Sequence, residues 1–139
     1  MGKDTILRRA LWVSAVYNLG GALLFGFPGS QVGELAGLPS DVPIVYRAFL
    51  AFFVVLFGGA YAWLACQTTI DRPLVALSAI GKAGAFVIIF VCWLVGEIPL
   101  NGMLAAIGDL VLAGIFTWWL VSARPPTSTP TVPQKVGGS

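Results

Sequence analysis

Four long apolar runs dominate the chain, and each is long enough to cross a membrane as a helix. They cover about residues 10–27, 44–66, 73–96 and 99–122. About 20 apolar residues in an α-helix span the ~30 Å hydrocarbon core of a bilayer. The runs lack the alternation of barrel strands, and only helices or closed barrels satisfy the backbone in lipid. The pattern therefore predicts an all-α integral membrane protein, an antiparallel bundle of four transmembrane helices.

The segments between these runs contain turn and helix-start signals. Pro73 and Pro99 stand at the first turns of the third and fourth runs, where a missing N–H costs no hydrogen bond. The sequence EIP between these two runs predicts a tight turn. The longer segment SQVGELAGLPSDVP leaves two interpretations open, a short helix capped by Ser30 or a plain loop.

Lysine and arginine residues in the short flanks predict the orientation of the bundle. Short cytoplasmic loops of membrane proteins carry an excess of these residues. If both termini are cytoplasmic, that side holds Lys3, Arg8, Arg9, Arg72, Arg124 and Lys135. The opposite side holds Arg47, with the acidic residues Glu34, Asp41 and Glu97. We therefore predict that both termini are cytoplasmic.

The runs and their flanks divide the chain into three parts. Residues 1–9 form a cytoplasmic N-terminus, and residues 10–123 form the membrane domain. The segment 124–139 is rich in Pro, Thr and Ser and has almost nothing to bury. We expect it to be a disordered cytoplasmic tail.

The composition agrees with a membrane protein and narrows its partners. Hydrophobic residues make up 58% of the chain and charged residues only 10%, whereas about a quarter of a soluble domain is charged. The lipid bilayer is thus the first predicted partner, and a net charge of +2 is too small to suggest nucleic acid. Histidine, the usual protein ligand of haem iron and catalytic zinc, is absent. We predict no cofactor and no metal site.

Two charged residues stand deep inside the apolar runs. Lys82 lies nine residues after Pro73 and Asp109 ten residues after Pro99, in runs that enter from opposite faces. At 1.5 Å of rise per residue, both reach a depth of about 14–15 Å, the middle of the bilayer. A lysine or aspartate at that depth costs about 2.5–3.5 kcal/mol. We therefore predict that Lys82 and Asp109 form an ion pair.

Other polar residues fall beside this pair or form a second one. Asn18 reaches the same depth on the first run, and Ser78 lies one helical turn from Lys82 on its face. Lys82, Asp109, Asn18 and Ser78 make up the predicted intramembrane polar cluster. At the outer interface, Arg47 starts the second run and Glu97 ends the third, which predicts a second ion pair.

The Lys82–Asp109 pair has two interpretations that the sequence leaves open. A buried pair can fix helix register and partner choice without adding much stability. An ionisable residue inside a membrane is also a candidate functional group, here for a proton or an anionic ligand.

Three dipeptides give the chain a likeness to a known family. They are Tyr46-Arg47 at the start of the second run, Gly81-Lys82 in the third and Gly108-Asp109 in the fourth. With the four-span layout, they resemble small bacterial membrane proteins of the DoxX-like kind. The resemblance covers the four runs and not the tail. It implies a compact bundle in the bacterial inner membrane, often associated with redox or stress-linked membrane systems.

These observations favour one function and leave two others open. The favoured one is a non-catalytic accessory or structural subunit that packs in a larger membrane protein complex. The protein partners we expect are other membrane protein subunits or further copies of the chain in a homo-oligomer. The first alternative is a small-solute or lipid-binding bundle, including a proton-coupled transporter, centred on Lys82 and Asp109. The second is an intramembrane enzyme that uses Asp109 as an acid or base.

Overall fold

The computed structural model describes residues 2–122, and every regular element in that range is a helix. The long helices are α1 (Lys3–Gly26), α3 (Ile44–Cys66), α4 (Arg72–Leu94) and α5 (Leu100–Ser122), and the short helix α2 (Gln31–Leu35) follows α1. The all-α prediction is confirmed over this range. The predicted disordered tail, 124–139, lies outside the described residues.

Three of the long helices, α3, α4 and α5, are long and apolar enough to cross a membrane. They make the chain a membrane protein whose helices contact lipid. Helix α1 is not one of the three. It begins at Lys3, well before residue 10, and carries Ser14, Tyr17 and Asn18 along its length. These polar side chains lower its hydropathy, so the first predicted span, 10–27, stays a prediction.

Two helix starts follow the capping signals of the sequence. The Ser30 hydroxyl oxygen accepts a hydrogen bond from the Gly33 N–H at 3.2 Å, so the short helix forms rather than a plain loop. An Asp71 carboxylate oxygen accepts from the Leu74 N–H at 3.0 Å at the start of α4. Pro73 lies in the first turn of that helix, as expected.

The long helices pack as two antiparallel pairs, α1 with α3 and α4 with α5. The pairs meet chiefly where α1 contacts α5, whereas α3 and α4, although consecutive, pack against different neighbours. Gly58 of α3 permits the close approach of α1, because a Cβ at this position would lie 3.2 Å from the Cβ of Asn18. A Cβ at the adjacent Gly59 would meet open space.

Basic side chains close one end of the bundle, the end where α1 and α4 begin and α3 and α5 finish, which we call the basal end. Lys3 and Arg72 donate to the carbonyl groups of Ser122 and Leu120 in the last turn of α5, at 3.1 and 2.7 Å. Arg8 donates to carbonyl groups at and just beyond the end of α3. The last carbonyls of a helix lack intrahelical donors and attract cations. These contacts satisfy three of them, the carbonyls of Ala65, Leu120 and Ser122.

Buried side chains concentrate between the basal end and the middle of the bundle, which we call the basal half. Its apolar core draws on all four long helices and includes Leu7, Leu11, Leu64, Val75, Leu112 and Phe116. The opposite part, the far half, is less covered. On α3, Tyr61 is 3% exposed, whereas Phe57 and Leu50 farther along are 41% and 46% exposed. The structure also has few close contacts between α3 and α4. We call the space beside this exposed side of α3, between it and α4, the gap.

Candidate functional site

Lys82 and Asp109 form an ion pair in the interior of the bundle. The Lys82 Nζ atom lies 2.6 Å from Oδ1 of Asp109 and 2.6 Å from Oδ1 of Asn18. Lys82 is 4% exposed, and the other two residues are 8% exposed. Consecutive antiparallel helices α4 and α5 bring the charged pair to one level, as the depth estimate predicts. Asn18 reaches that level from α1.

Asn18 connects this ion pair to the main chain of α3. Its Nδ2 group donates to the carbonyl oxygen of Val54 at 3.1 Å, while its Oδ1 atom accepts from Lys82. This geometry depends on Gly58, whose missing side chain lets α1 come close to α3. The N–H and the oxygen of the Asn18 amide group therefore both have a hydrogen-bond partner.

Two tyrosine rings cover the Lys82 ammonium. Nζ lies 4.8 Å from the ring centroid of Tyr17 and 5.3 Å from that of Tyr61, within the range of cation–π attraction. The Tyr17 hydroxyl donates to the carbonyl oxygen of Ala105 at 2.6 Å, which fixes its ring against α5. Lys82 thus has neighbours on the other three long helices. We call Lys82, Asp109, Asn18, Tyr17 and Tyr61 the central cluster.

The sequence analysis missed both tyrosines, although the chain contains a signal for each. Tyr17 directly precedes Asn18, and Tyr61 follows Gly58 by three residues, so it lies on the same face of α3. Tyrosine in an apolar run is ambiguous, because its ring packs in a core as readily as it faces a cation. Only the relative rotation of the helices decides between these roles.

Ser78, the fourth residue of the predicted polar cluster, turns to its own helix. It is buried, and its hydroxyl donates to the carbonyl oxygen of Leu74 at 2.7 Å. A serine in a helix commonly satisfies its hydroxyl in this way. Within residues 2–122, no hydrogen bond joins Ser78 to Lys82. Ser78 therefore belongs to the buried face of α4 and not to the central cluster.

The predicted ion pair of Arg47 and Glu97 does not form in the part of the chain that the structure describes. The ion pair found within residues 2–122 joins Lys82 and Asp109 instead. The reason lies in the packing, because α3 pairs with α1 and α4 pairs with α5, which separates the two outer ends. Glu97 is exposed, whereas the Nε group of Arg47 is buried and has no hydrogen-bond acceptor among residues 2–122.

The arrangement of the central cluster is that of a closed junction between helices. The ammonium donates to two oxygens and faces two aromatic rings, and the carboxylate is neutralised at short distance. Over residues 2–122, no three His, Cys, Asp or Glu side chains lie close enough together to hold a metal ion. Compared with known proteins, the chain matches no family model, no curated protein and no solved structure.

Proposed function

We propose that the protein is a non-catalytic accessory subunit of a larger membrane protein complex, and that its partner packs into the gap between α3 and α4 in the far half. In this proposal α1 is the fourth transmembrane span, and both termini are cytoplasmic. The observation that carries it is the contrast between a closed centre and an open far half.

The closed centre supports a structural role for the charged pair. Each charge alone would cost about 2.5–3.5 kcal/mol at mid-bilayer depth, so the two are held where they neutralise each other. Because Lys82 contacts residues of α1, α3 and α5, its position selects one arrangement of the bundle. Buried polar groups fix helix register in this way in other proteins.

The open far half supports a partner there. Phe57 and Leu50 point from the same side of α3 as the buried Tyr61, yet they are exposed. Arg47 lies at the outer end of the same helix, and its buried Nε group lacks an acceptor over residues 2–122. A partner helix in the gap would cover both apolar side chains, and a carbonyl or carboxylate on it would accept from Arg47. An unsatisfied buried donor is unfavourable by about 1–3 kcal/mol, which favours such a contact.

Charge distribution supports the proposed orientation. Lys3, Arg8, Arg9 and Arg72 belong to the basal end. At the far end, Glu34 lies in α2, and Asp41 and Glu97 lie in the loops. An excess of basic residues at the basal end supports a cytoplasmic location of that end. The resemblance to DoxX-like proteins stays a prediction, and with it the bacterial inner membrane as the location.

Extraction in mild detergent tests the proposed subunit role. The full chain, carrying an affinity tag, is expected to recover one partner protein in fixed stoichiometry. Leu50→Trp fills the gap and should abolish recovery of that partner. Leu56→Trp makes the same change on an exposed position of the same helix, away from the gap, and should leave recovery intact. Recovery of the chain only alone or as a homo-oligomer, or equal loss with both variants, would contradict the proposal.

A solute- or lipid-binding bundle is the second candidate, and the position of the central cluster favours it. The rings of Phe57 and Tyr61 are in contact, with centroids 6.5 Å apart, and Tyr61 faces Lys82. A ligand that entered the gap would meet these rings before the ammonium. Native mass spectrometry of the same samples separates the two functions. This candidate predicts a retained small molecule instead of a protein, again lost in Leu50→Trp.

A further inference from the structure

A groove of about 620 Å³ lies between α1 and α5, away from the gap between α3 and α4. Most of it belongs to the basal half, and it runs past the level of Asp109 as far as Leu104. Its walls are apolar side chains of both helices, such as Val13, Ile107 and Val111. Arg9 lines the groove toward the basal end and Tyr17 toward the middle of the bundle. We infer that this groove binds one acyl chain of an anionic phospholipid, with the lipid phosphate beside Arg9.

The length of the groove matches a single leaflet. It extends from Ile6 to Tyr17 on α1 and from Leu104 to Ile115 on α5. At 1.5 Å per residue each wall is about 16 Å long, close to half of a ~30 Å hydrocarbon core. An acyl chain of the leaflet on the basal side therefore fits along it from end to end.

Tyr17 lines the groove near the level of the charged pair. Its ring lies against α5 at Gly108, where an added Cβ would be only 2.9 Å from the ring. The same ring faces Lys82. Neither Lys82 nor Asp109 lines the groove, so its occupant contacts Tyr17 and not the charged pair.

The positive charge of Arg9 at the basal end of the groove favours one class of lipid headgroup. Arg9 is the charged residue among those that line the groove, and Lys3, Arg8 and Arg72 lie at the same end of the bundle. A guanidinium carries five donors and binds phosphate oxygens in pairs. A zwitterionic headgroup carries the same phosphate, but its own cation offsets that charge and repels Arg9. An anionic headgroup of equal chain length is therefore favoured, by about fivefold for one such cation at a membrane surface.

Native mass spectrometry of the full chain in mixed micelles tests this inference with two probes, phosphatidylglycerol and phosphatidylcholine with identical acyl chains. Wild-type protein should retain phosphatidylglycerol about fivefold more than phosphatidylcholine. Arg9→Gln should abolish this preference, whereas Lys3→Gln, which removes a charge from the same end outside the groove, should keep it. Val111→Trp should lose both lipids, because it fills the groove. Val87→Trp is its control, since both valines are 55% exposed.

Three outcomes would overturn the inference. Equal lipid retention by Val111→Trp and Val87→Trp would show that lipid does not occupy the groove. Equal loss of preference in Arg9→Gln and Lys3→Gln would assign the selectivity to diffuse charge. Conversion of an oligomer to a monomer by Val111→Trp, with lipid retained, would assign the groove to a second copy of the chain. None of these results bears on the partner in the far half, which Leu50→Trp tests.

Discussion

Lys82 is the residue on which the interior of the bundle depends. Its ammonium donates to Asp109 and Asn18, and the rings of Tyr17 and Tyr61 cover its remaining side. The Lys82 position therefore has an environment suited to a cation, which the Asp109 position lacks. Exchanging the two charges would place a carboxylate against the negative faces of two aromatic rings. For this reason, replacing both residues with neutral ones tests a structural role better than exchanging their charges.

Removal of one charge is predicted to destabilise the protein strongly. Lys82→Met leaves the Asp109 carboxylate buried without its partner and should lower the free energy of unfolding by about 3–5 kcal/mol. Lys82→Met/Asp109→Leu removes both charges and should restore most of that loss, since apolar replacement of a buried pair is often neutral or stabilising. Unfolding by SDS titration in mixed micelles measures both values. A single variant as stable as the wild type would contradict the closed-pair account.

At the scale of helices, the approach of α1 to α3 depends on one of two adjacent glycines. Gly58→Val would press a side chain against Asn18 and should cost about 1–3 kcal/mol of unfolding free energy, as overpacking does. Gly59→Val points into open space and should change stability by less than about 0.5 kcal/mol. The same SDS titration compares them. Equal effects of the two variants would mean that the close contact of α1 with α3 is not formed.

The helices and the depth of the charged pair could be predicted from the sequence, because both follow from residue counts along apolar runs. Helix α3 covers the residues 44–66 of the predicted second run, and counting from Pro73 and Pro99 brings Lys82 and Asp109 together. Rotation and pairing of helices could not be predicted in this way. The hydrogen bond of Ser78 to the Leu74 carbonyl could not be predicted either, because a serine hydroxyl can turn to its own helix or to a neighbouring side chain.

The pairing of whole helices explains the wrong prediction at the outer interface. Arg47 and Glu97 lie at the same depth by counting, and the sequence pairs them because their helices are consecutive. In the bundle, α3 packs on α1, and α4 packs on α5, so connection along the chain does not imply contact. The tyrosines of the central cluster were missed for the same reason, since their contacts depend on which helix faces which.

At the scale of the whole molecule, the bundle has two unlike halves. The basal half is closed by its apolar core, by basic side chains on helix ends and by the central cluster at its inner limit. The far half exposes the apolar side chains Phe57 and Leu50 on the side of α3 that carries the buried Tyr61. If the charged pair in the centre only stabilises the fold, the function should depend on the far half. The central claim is that the Lys82–Asp109 pair holds the fold and takes no direct part in the function.

Recovery of the partner protein by the neutral double variant tests this claim most directly. Lys82→Met/Asp109→Leu is extracted in mild detergent beside the wild type, after SDS titration has compared their stabilities. We predict that the double variant, at a stability close to that of the wild type, recovers the same partner in the same stoichiometry. A double variant that is as stable as the wild type but recovers neither the partner nor a bound small molecule would contradict the claim, because the pair itself would then be the working site.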